Sequence, residues 1–333
     1  MRPLVAAVIV VAATATAAAD PAAAPGYVVE TISVDGAMLS GLARDADDLL
    51  VTDLASGRLL RRGSDGVLVA FGPAFPHGPD IIGDPTGPYR VVRVGDDLIV
   101  AQGWTPVDTD PGPLDHALVI LGEDGEAHVV SDAFWNPFDF VVDGETIYMV
   151  DAAANAIERL RIDGSGQETV FTFGRLAGEA GEMQALSPTE FAETDAYEVD
   201  AVPTGIVLGD GRLYVALFGG FPFLEGAGRV VSIPVESDAP PGLRGEIDGL
   251  NAPVALALDA GGRLLVLEHG LYDQATGFVE GSGRLSSFDV ATGERRVILD
   301  GLTRPASVLV WDDGELVLSD LGGHLHFLTE TAE

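Results

Sequence analysis

Two carboxylates stand where chemistry would need them. Asp139 interrupts the apolar run "PFDFVVD", and Glu268 precedes His269 in "LLVLEHG". A lone carboxylate among apolar neighbours is costly unless it meets water, a cation or a hydrogen-bond donor. Each therefore has two readings: a structurally bonded side chain, or a contact to a divalent cation or ligand. His324 and His326 alternate along "HLHFL" and so share one strand face, the spacing of an i, i+2 metal pair. As residues of an outer strand they are expected instead to face solvent or a neighbouring element. His77 and His116 lie in loops and point to nothing specific. No G-x-S-x-G elbow, H-E-x-x-H, Walker or Rossmann fingerprint occurs. The absence of cysteine excludes disulfides, thiolate metal sites and cysteine nucleophiles. No complete catalytic constellation emerges.

The other chemical signal is aromatic. Four stretches, "FGPAFPHGPD", "QGWTPVDTDPGPLDH", "LFGGFPFLEG" and "EHGLYDQATGF", are longer than tight turns require and rich in Pro and aromatic residues. They are expected to gather on one face, with Phe75, Trp104, Phe221, Phe223 and Tyr272 as rigid apolar contacts beside His269. Such loops on a rigid scaffold commonly bind ligands. Exposed aromatic rings can equally pack on one another. Trp104, Phe221, Phe223, His269 and Tyr272 are the ligand-binding candidates, and Asp139 and Glu268 the metal candidates.

The scaffold is a repeat. One phrase, a small-residue strand, a Gly/Asp turn and a second strand, recurs from Leu39, Tyr89, Pro137, Pro203, Pro253 and Pro305. The copies include "PFDFVVDGETIYMVD", "PTGIVLGDGRLYVAL" and "PASVLVWDDGELVLSD", and each leads to a third strand. Six copies spaced by roughly fifty residues, with no helical period, predict an all-β, six-bladed β-propeller. First strands converge on the axis and want small side chains. Gly41, Gly205, Ala255 and Ser307 provide them, whereas Val91 and Asp139 do not. Asp53, Asp151 and Asp320 end the second strands of three copies before a turn, where an Asp accepts backbone N–H bonds; Asn155 goes with them. The last copy has only three strands, and the alternating "YVVETISV" from Tyr27 is expected to supply the fourth and close the ring.

Composition bounds the partners. Asp and Glu number 52 against 18 basic residues, all of them Arg, for a formal net charge of -34. That balance repels nucleic acid and anionic lipid. Arg2, the apolar run Leu4–Ala13 and Ala17-Ala18-Ala19 form an export signal over residues 1–19. Cleavage after Ala19 would leave a leader at 20–26 and one propeller domain at 27–333. The product is expected to be secreted or periplasmic, without a membrane span, and monomeric.

The blade phrases "NPFDFVVDGETIYMVDAAANAIERLRIDG" and "AVPTGIVLGDGRLYVALFGGFPFLEGAGRV" resemble those of the ScyD/ScyE family, a likeness that extends from Leu39 to Asp320. The resemblance implies an exported six-bladed propeller related in shape to NHL-repeat and gluconolactonase-like proteins. The family phrase usually carries an acidic residue where this chain has Leu217. The gluconolactonase-like kinship implies a divalent cation such as Ca²⁺ on the axis, with Asp139 and Glu268 among its ligands. The leading expectation is a non-catalytic or accessory scaffold binding a small molecule or protein on the loop face. The alternative is a metal-dependent lactonase or esterase-like hydrolase.

Overall fold

The computed structural model describes residues 20–105, 111–122, 125–179, 196–235, 242–311 and 314–331. The segment 1–19, expected to be an export signal, and the middle of the Trp104 loop lie outside them. Among the described residues no helix is long and apolar enough to cross a membrane.

Six antiparallel sheets surround one axis as the blades of a propeller. Blade one runs Leu39–Asp45, Asp48–Asp53, Arg58–Arg62 and Leu68–Phe71 from the axis outwards, and blades two to five repeat this order. Blade six has Pro305–Val310, Leu316–Asp320 and His324–Glu330. Its outer strand is Tyr27–Ser33, in register from Tyr27 opposite Glu330 to Ser33 opposite His324. The two ends of the chain thus share one sheet, as the alternation of "YVVETISV" predicts.

The leader differs from expectation. Ala22–Ala23 pairs with Asp300 and Leu299 and becomes a fifth strand on the outside of blade five. Arg296 holds it through Pro25 O at 3.0 Å. Main-chain pairing to an exposed edge needs no side-chain pattern, so nothing in "DPAAAPG" announces it.

Each second strand is covered on both faces by neighbouring blades, which is why "LLVTD", "LIVAQ" and "LLVLE" are apolar at nearly every position. Period 2 sends alternate residues to opposite blade interfaces. Leu50 joins the core between blades one and two, while Leu49 and Val51 join that between blades six and one. Six such cores result, one per interface. Phe75 belongs to the first of them and is 2% exposed, so it is not on the loop face. Near the axis the backbones nearly touch. A Cβ on Gly41 would lie 2.5 Å from Tyr89 O, and one on Gly205 would lie 2.8 Å from Ala255 Cα.

Candidate functional site

A single repeated arrangement builds the axial site. Every inner strand starts with Pro, or with Leu39 in blade one, paired with the residue that ends the second strand; a bulge follows in all six blades. The residue before that start accepts a hydrogen bond from the first residue past the second strand. The six bonds are Leu54 to Met38, Gly103 to Gly87, Ala152 to Asn136, Phe218 to Val202, His269 to Ala252 and Leu321 to Arg304, all within 2.8–3.1 Å. Val202, Ala252 and Arg304 take positive φ to make this turn, with φ of 47, 50 and 50°.

The turn aims equivalent side chains at the axis. The residue after each start, Ser40, Tyr89, Phe138, Thr204, Val254 or Ala306, lines one cavity of about 410 Å³, and all six blades contribute. Leu54, Ala152, Phe218, His269 and Leu321 form the next tier. The volume lies within the usual range for small-molecule sites. A wider hollow of about 710 Å³ lies at the far end of blades one and two, beside Asp45. It is open to solvent, and Asp45 there is spanned by Arg93 at 2.7 Å and Arg61 at 2.9 Å.

The third residue of each inner strand makes the layer beneath the cavity floor: Gly41, Arg90, Asp139, Gly205, Ala255 and Ser307. Here the structure corrects the alignment of blade two. Arg90 rather than Val91 is axial, because Pro88 is the strand start, while Val91 is buried between blades one and two. Arg90 Nε lies 3.0 Å from Asp139 Oδ1. Asp139 also accepts from Phe140 N at 2.8 Å and Ile206 N at 3.3 Å. Burial pushes its carboxyl up from the ordinary value, and the Arg90 charge and the two backbone donors pull against that.

Glu268 is 1% exposed. It accepts from Asn251 N at 2.8 Å and Arg295 Nη2 at 2.7 Å, with Arg284 Nε at 3.5 Å. Its two arginine partners thus lie on the outer strands of blade five, while those of Asp139 lie on inner strands. A carboxylate already compensated by a guanidinium does not suit a divalent cation, so the axial donor set does not fit the ion that the family kinship implies. Asp53 and Asp151 hold the turns of their blades: Asp53 accepts from Met38 N and Ala55 N, and Asp151 from Trp135 N, Asn136 N and Ala154 N. Asn155 caps the next blade through Val202 N at 2.8 Å.

The loop aromatics do converge. Phe221, Phe223 and His269 line the cavity, and Tyr272 backs them. Phe223 meets Tyr272 at 5.0 Å and Phe278 at 5.5 Å between ring centroids, and His269 meets Phe278 at 4.4 Å. Gln274 ties the two loops by donating to Pro222 O at 2.7 Å. Trp104 stands at the rim opposite this wall, 41% exposed, its backbone N–H bonded to Asn136 Oδ1. Both readings of the aromatic loops therefore describe part of the surface: the rings pack on one another and they also line a cavity.

Sequence reasoning missed Tyr89, Phe138, Phe218 and Phe278. It also missed the hairpin Gly78–Pro79 and Pro85–Thr86, which carries Ile81 and Ile82 to the mouth. Asp80 caps that hairpin through Ile82 N and Asp84 N. Asp84 then meets Arg304 at 2.7 Å, linking the hairpin to blade six. Burial pushes the Asp84 carboxyl up, against the pull of Arg304.

The polar lining is rich in acceptors. Ser40 and Thr204 donate their hydroxyl protons to Tyr89 O and Pro253 O, leaving oxygen lone pairs. Asp80, Asp84 and Asp200 bring three carboxylates to the wall, where Arg304 pairs with Asp84 and Arg175, from behind the wall, with Asp200 at 3.1 Å. His269 Nδ1 lies 2.8 Å from Pro305 O and must donate to it, so Nε2 is an acceptor, and Arg304 Nε donates to it at 3.4 Å. Burial first, then the charge of Arg304, lowers its pKa to about 3. The imidazole facing the cavity is neutral at physiological pH.

No family model matches the chain, and no curated protein matches it in sequence. Solved structures match in shape. A gluconolactonase from Xanthomonas campestris superposes with a TM-score of 0.62 at 14% identity, covering 91% of this chain and 89% of that one. A luciferin-regenerating enzyme gives 0.57 at 12% identity, covering 91% and 95%. Virginiamycin B lyase from Staphylococcus aureus gives 0.53 at 11% identity, covering 91% and 99%. At such identities the likeness is one of fold: the six-bladed β-propeller of this chain is similar in shape to gluconolactonase-like and virginiamycin B lyase proteins.

Proposed function

We propose that this chain is an exported, non-catalytic propeller that binds a small aromatic molecule in its axial cavity. The ligand carries hydrogen-bond donors or positive charge. The observation that carries this reading is the cavity itself, an aromatic wall from blades four and five facing a rim of oxygen acceptors. Apolar area supplies the affinity, and the acceptors select against anions, which would meet three carboxylates and a strongly negative protein. The ScyD/ScyE resemblance and the N-terminal signal support export, to the periplasm or beyond, and an accessory role. Matched aromatic amines and carboxylates, such as tryptamine and indole-3-acetate, test the selectivity in a thermal-shift series. Stabilisation by the amine alone is expected; stabilisation by the carboxylate alone would overturn it.

Lactone or ester hydrolysis is the second reading, favoured by the fold shared with gluconolactonase and by a neutral imidazole with an acceptor Nε2 on the cavity wall. It requires turnover of a lactone or aryl ester that falls at least tenfold in His269→Gln. No turnover above buffer across such a series leaves binding as the sole function.

A further inference from the structure

Outside the cavity, blade six gathers three metal-ligating side chains. Asp320 ends the second strand, and His324 and His326 follow on one face of the third. His324 Nδ1 lies 2.9 Å from Asp320 Oδ2, and His326 Nε2 lies 3.1 Å from the same oxygen. The three donor atoms fall within 4.8 Å of one another, and no other such trio occurs among the described residues. His324 and His326 therefore do not simply face solvent or the next blade, as their strand suggests; both imidazoles turn to one carboxylate.

The surroundings prepare this trio. Asp320 Oδ1 accepts from Gly322 N and His324 N, each at 2.9 Å, which fixes the carboxylate and turns Oδ2 towards both rings. Gly322 leaves room for the His324 ring: a Cβ there would lie 3.1 Å from Nδ1. Thr31, on the closing strand, places its hydroxyl 2.9 Å from His326 Nδ1. A hydroxyl that accepts the Nδ1 proton leaves the Nε2 lone pair pointing at Asp320, the outer-shell contact typical of metal-bound histidine. His326 and Asp320 are each 2% exposed, while His324 is half-buried and opens the trio to solvent.

We propose that Asp320, His324 and His326 bind one first-row divalent ion of the Zn²⁺ class. Two imidazoles and a carboxylate are a common three-ligand set for such ions, with the fourth position open on the side of His324. Donors of a tetrahedral site with bonds of about 2 Å sit roughly 3.3 Å apart, so the two contacts to Asp320 need only small outward shifts, and the two imidazole nitrogens, within 4.8 Å of each other, must come to the same spacing. Two neutral rings and one carboxylate leave the site at one negative charge on a strongly anionic protein. The ion joins the second and third strands of blade six and, through Thr31, the N-terminal strand that closes the ring. Its role is to clasp that closure.

The experiment uses the mature chain, residues 20–333, stripped with chelator and titrated with Zn²⁺ by calorimetry and thermal shift. The account expects one Zn²⁺ per chain, a saturable rise in Tm that Ca²⁺ does not reproduce, and tetrahedral ligand-field bands with Co²⁺. His324→Ala should weaken Zn²⁺ affinity at least tenfold, and Thr31→Val by about tenfold. His77→Ala and His116→Ala should leave it unchanged. His324 is half-buried, so its variant folds even if His326→Gln does not. Absence of a Zn²⁺-specific, saturable shift, or a shift that survives in His324→Ala, overturns the proposal; a trio bridged only by protons gives the first of these results.

Discussion

Arg90 Nε and Asp139 Oδ1 lie 3.0 Å apart on the inner strands of neighbouring blades, where the other four blades carry Gly, Ala or Ser. The pair occupies the narrow layer under the cavity floor. Arg90 also donates through Nη1 to Leu42 O at 2.6 Å and so reaches blade one. Three blades are tied by one guanidinium.

Removing that guanidinium leaves a half-buried carboxylate held only by the backbone N–H groups of Phe140 and Ile206. Arg90→Met should lower stability by about 3–5 kcal/mol at pH 7. Burial already raises the Asp139 pKa, and loss of Arg90 raises it further. The native state then binds the proton more tightly than the unfolded chain, so stability is recovered as pH falls through the folded pKa. Urea denaturation at pH 7 and pH 5 should show a smaller deficit at the lower pH. An equal deficit at both would mean that the pair contributes through packing alone.

His269 has the opposite sign. Its folded pKa, about 3, lies below the ordinary 6.5, so the unfolded chain takes up a proton first on acidification. The neutral, buried ring contributes stability above pH 6.5 that is lost progressively down to about pH 3, on the order of a few kcal/mol. His269→Gln, which can keep a donor to Pro305 O, should flatten the stability–pH profile in that window. A profile as steep as that of the unmodified chain would contradict the buried neutral ring.

The closing strand should matter more than a terminus usually does. Deleting residues 27–34 removes the outer strand of blade six and Val29 and Ile32 from two blade interfaces. Tm should fall by well over the few degrees expected of a frayed end. An unchanged Tm would show that the ring does not need this seam.

Salt should act in the other direction. With a formal net charge of -34, self-repulsion weakens with screening, and Tm should rise over moderate NaCl. A fall would mean that Arg pairs such as Arg90–Asp139 and Arg304–Asp84 outweigh the repulsion.

The repeat and its seam are legible in the sequence because strand alternation and a fixed period leave strong, redundant signals. Trp104, Phe221, Phe223 and Tyr272 could be assigned to one face because each follows a second strand; Phe75 follows a fourth strand, and the same assignment failed for it. Arg90 was hidden by one residue. Aligning "RVVRV" by its apolar pattern makes Val91 axial, whereas the Pro that starts the strands points to Arg90. The same rule finds the cavity floor, Ser40, Tyr89, Phe138, Thr204, Val254 and Ala306. Asp84 with Arg304 was out of reach, because the two are 220 residues apart and meet only through the Ile81–Ile82 hairpin. The convergence of His324 and His326 on Asp320 depends on the Gly322–Gly323 turn, whose geometry a strand pattern does not carry.

The central claim is that the axial cavity holds a cationic or donor-bearing aromatic ligand. Its most direct test is a fluorescence titration of the mature chain with acridine orange, a planar aromatic cation, beside the anionic 1-anilinonaphthalene-8-sulfonate. The account predicts saturable one-to-one binding of the cation, little of the anion, and loss of binding in Ala306→Phe, which fills the cavity floor. Binding that is stronger for the anion, or unchanged by Ala306→Phe, would contradict it.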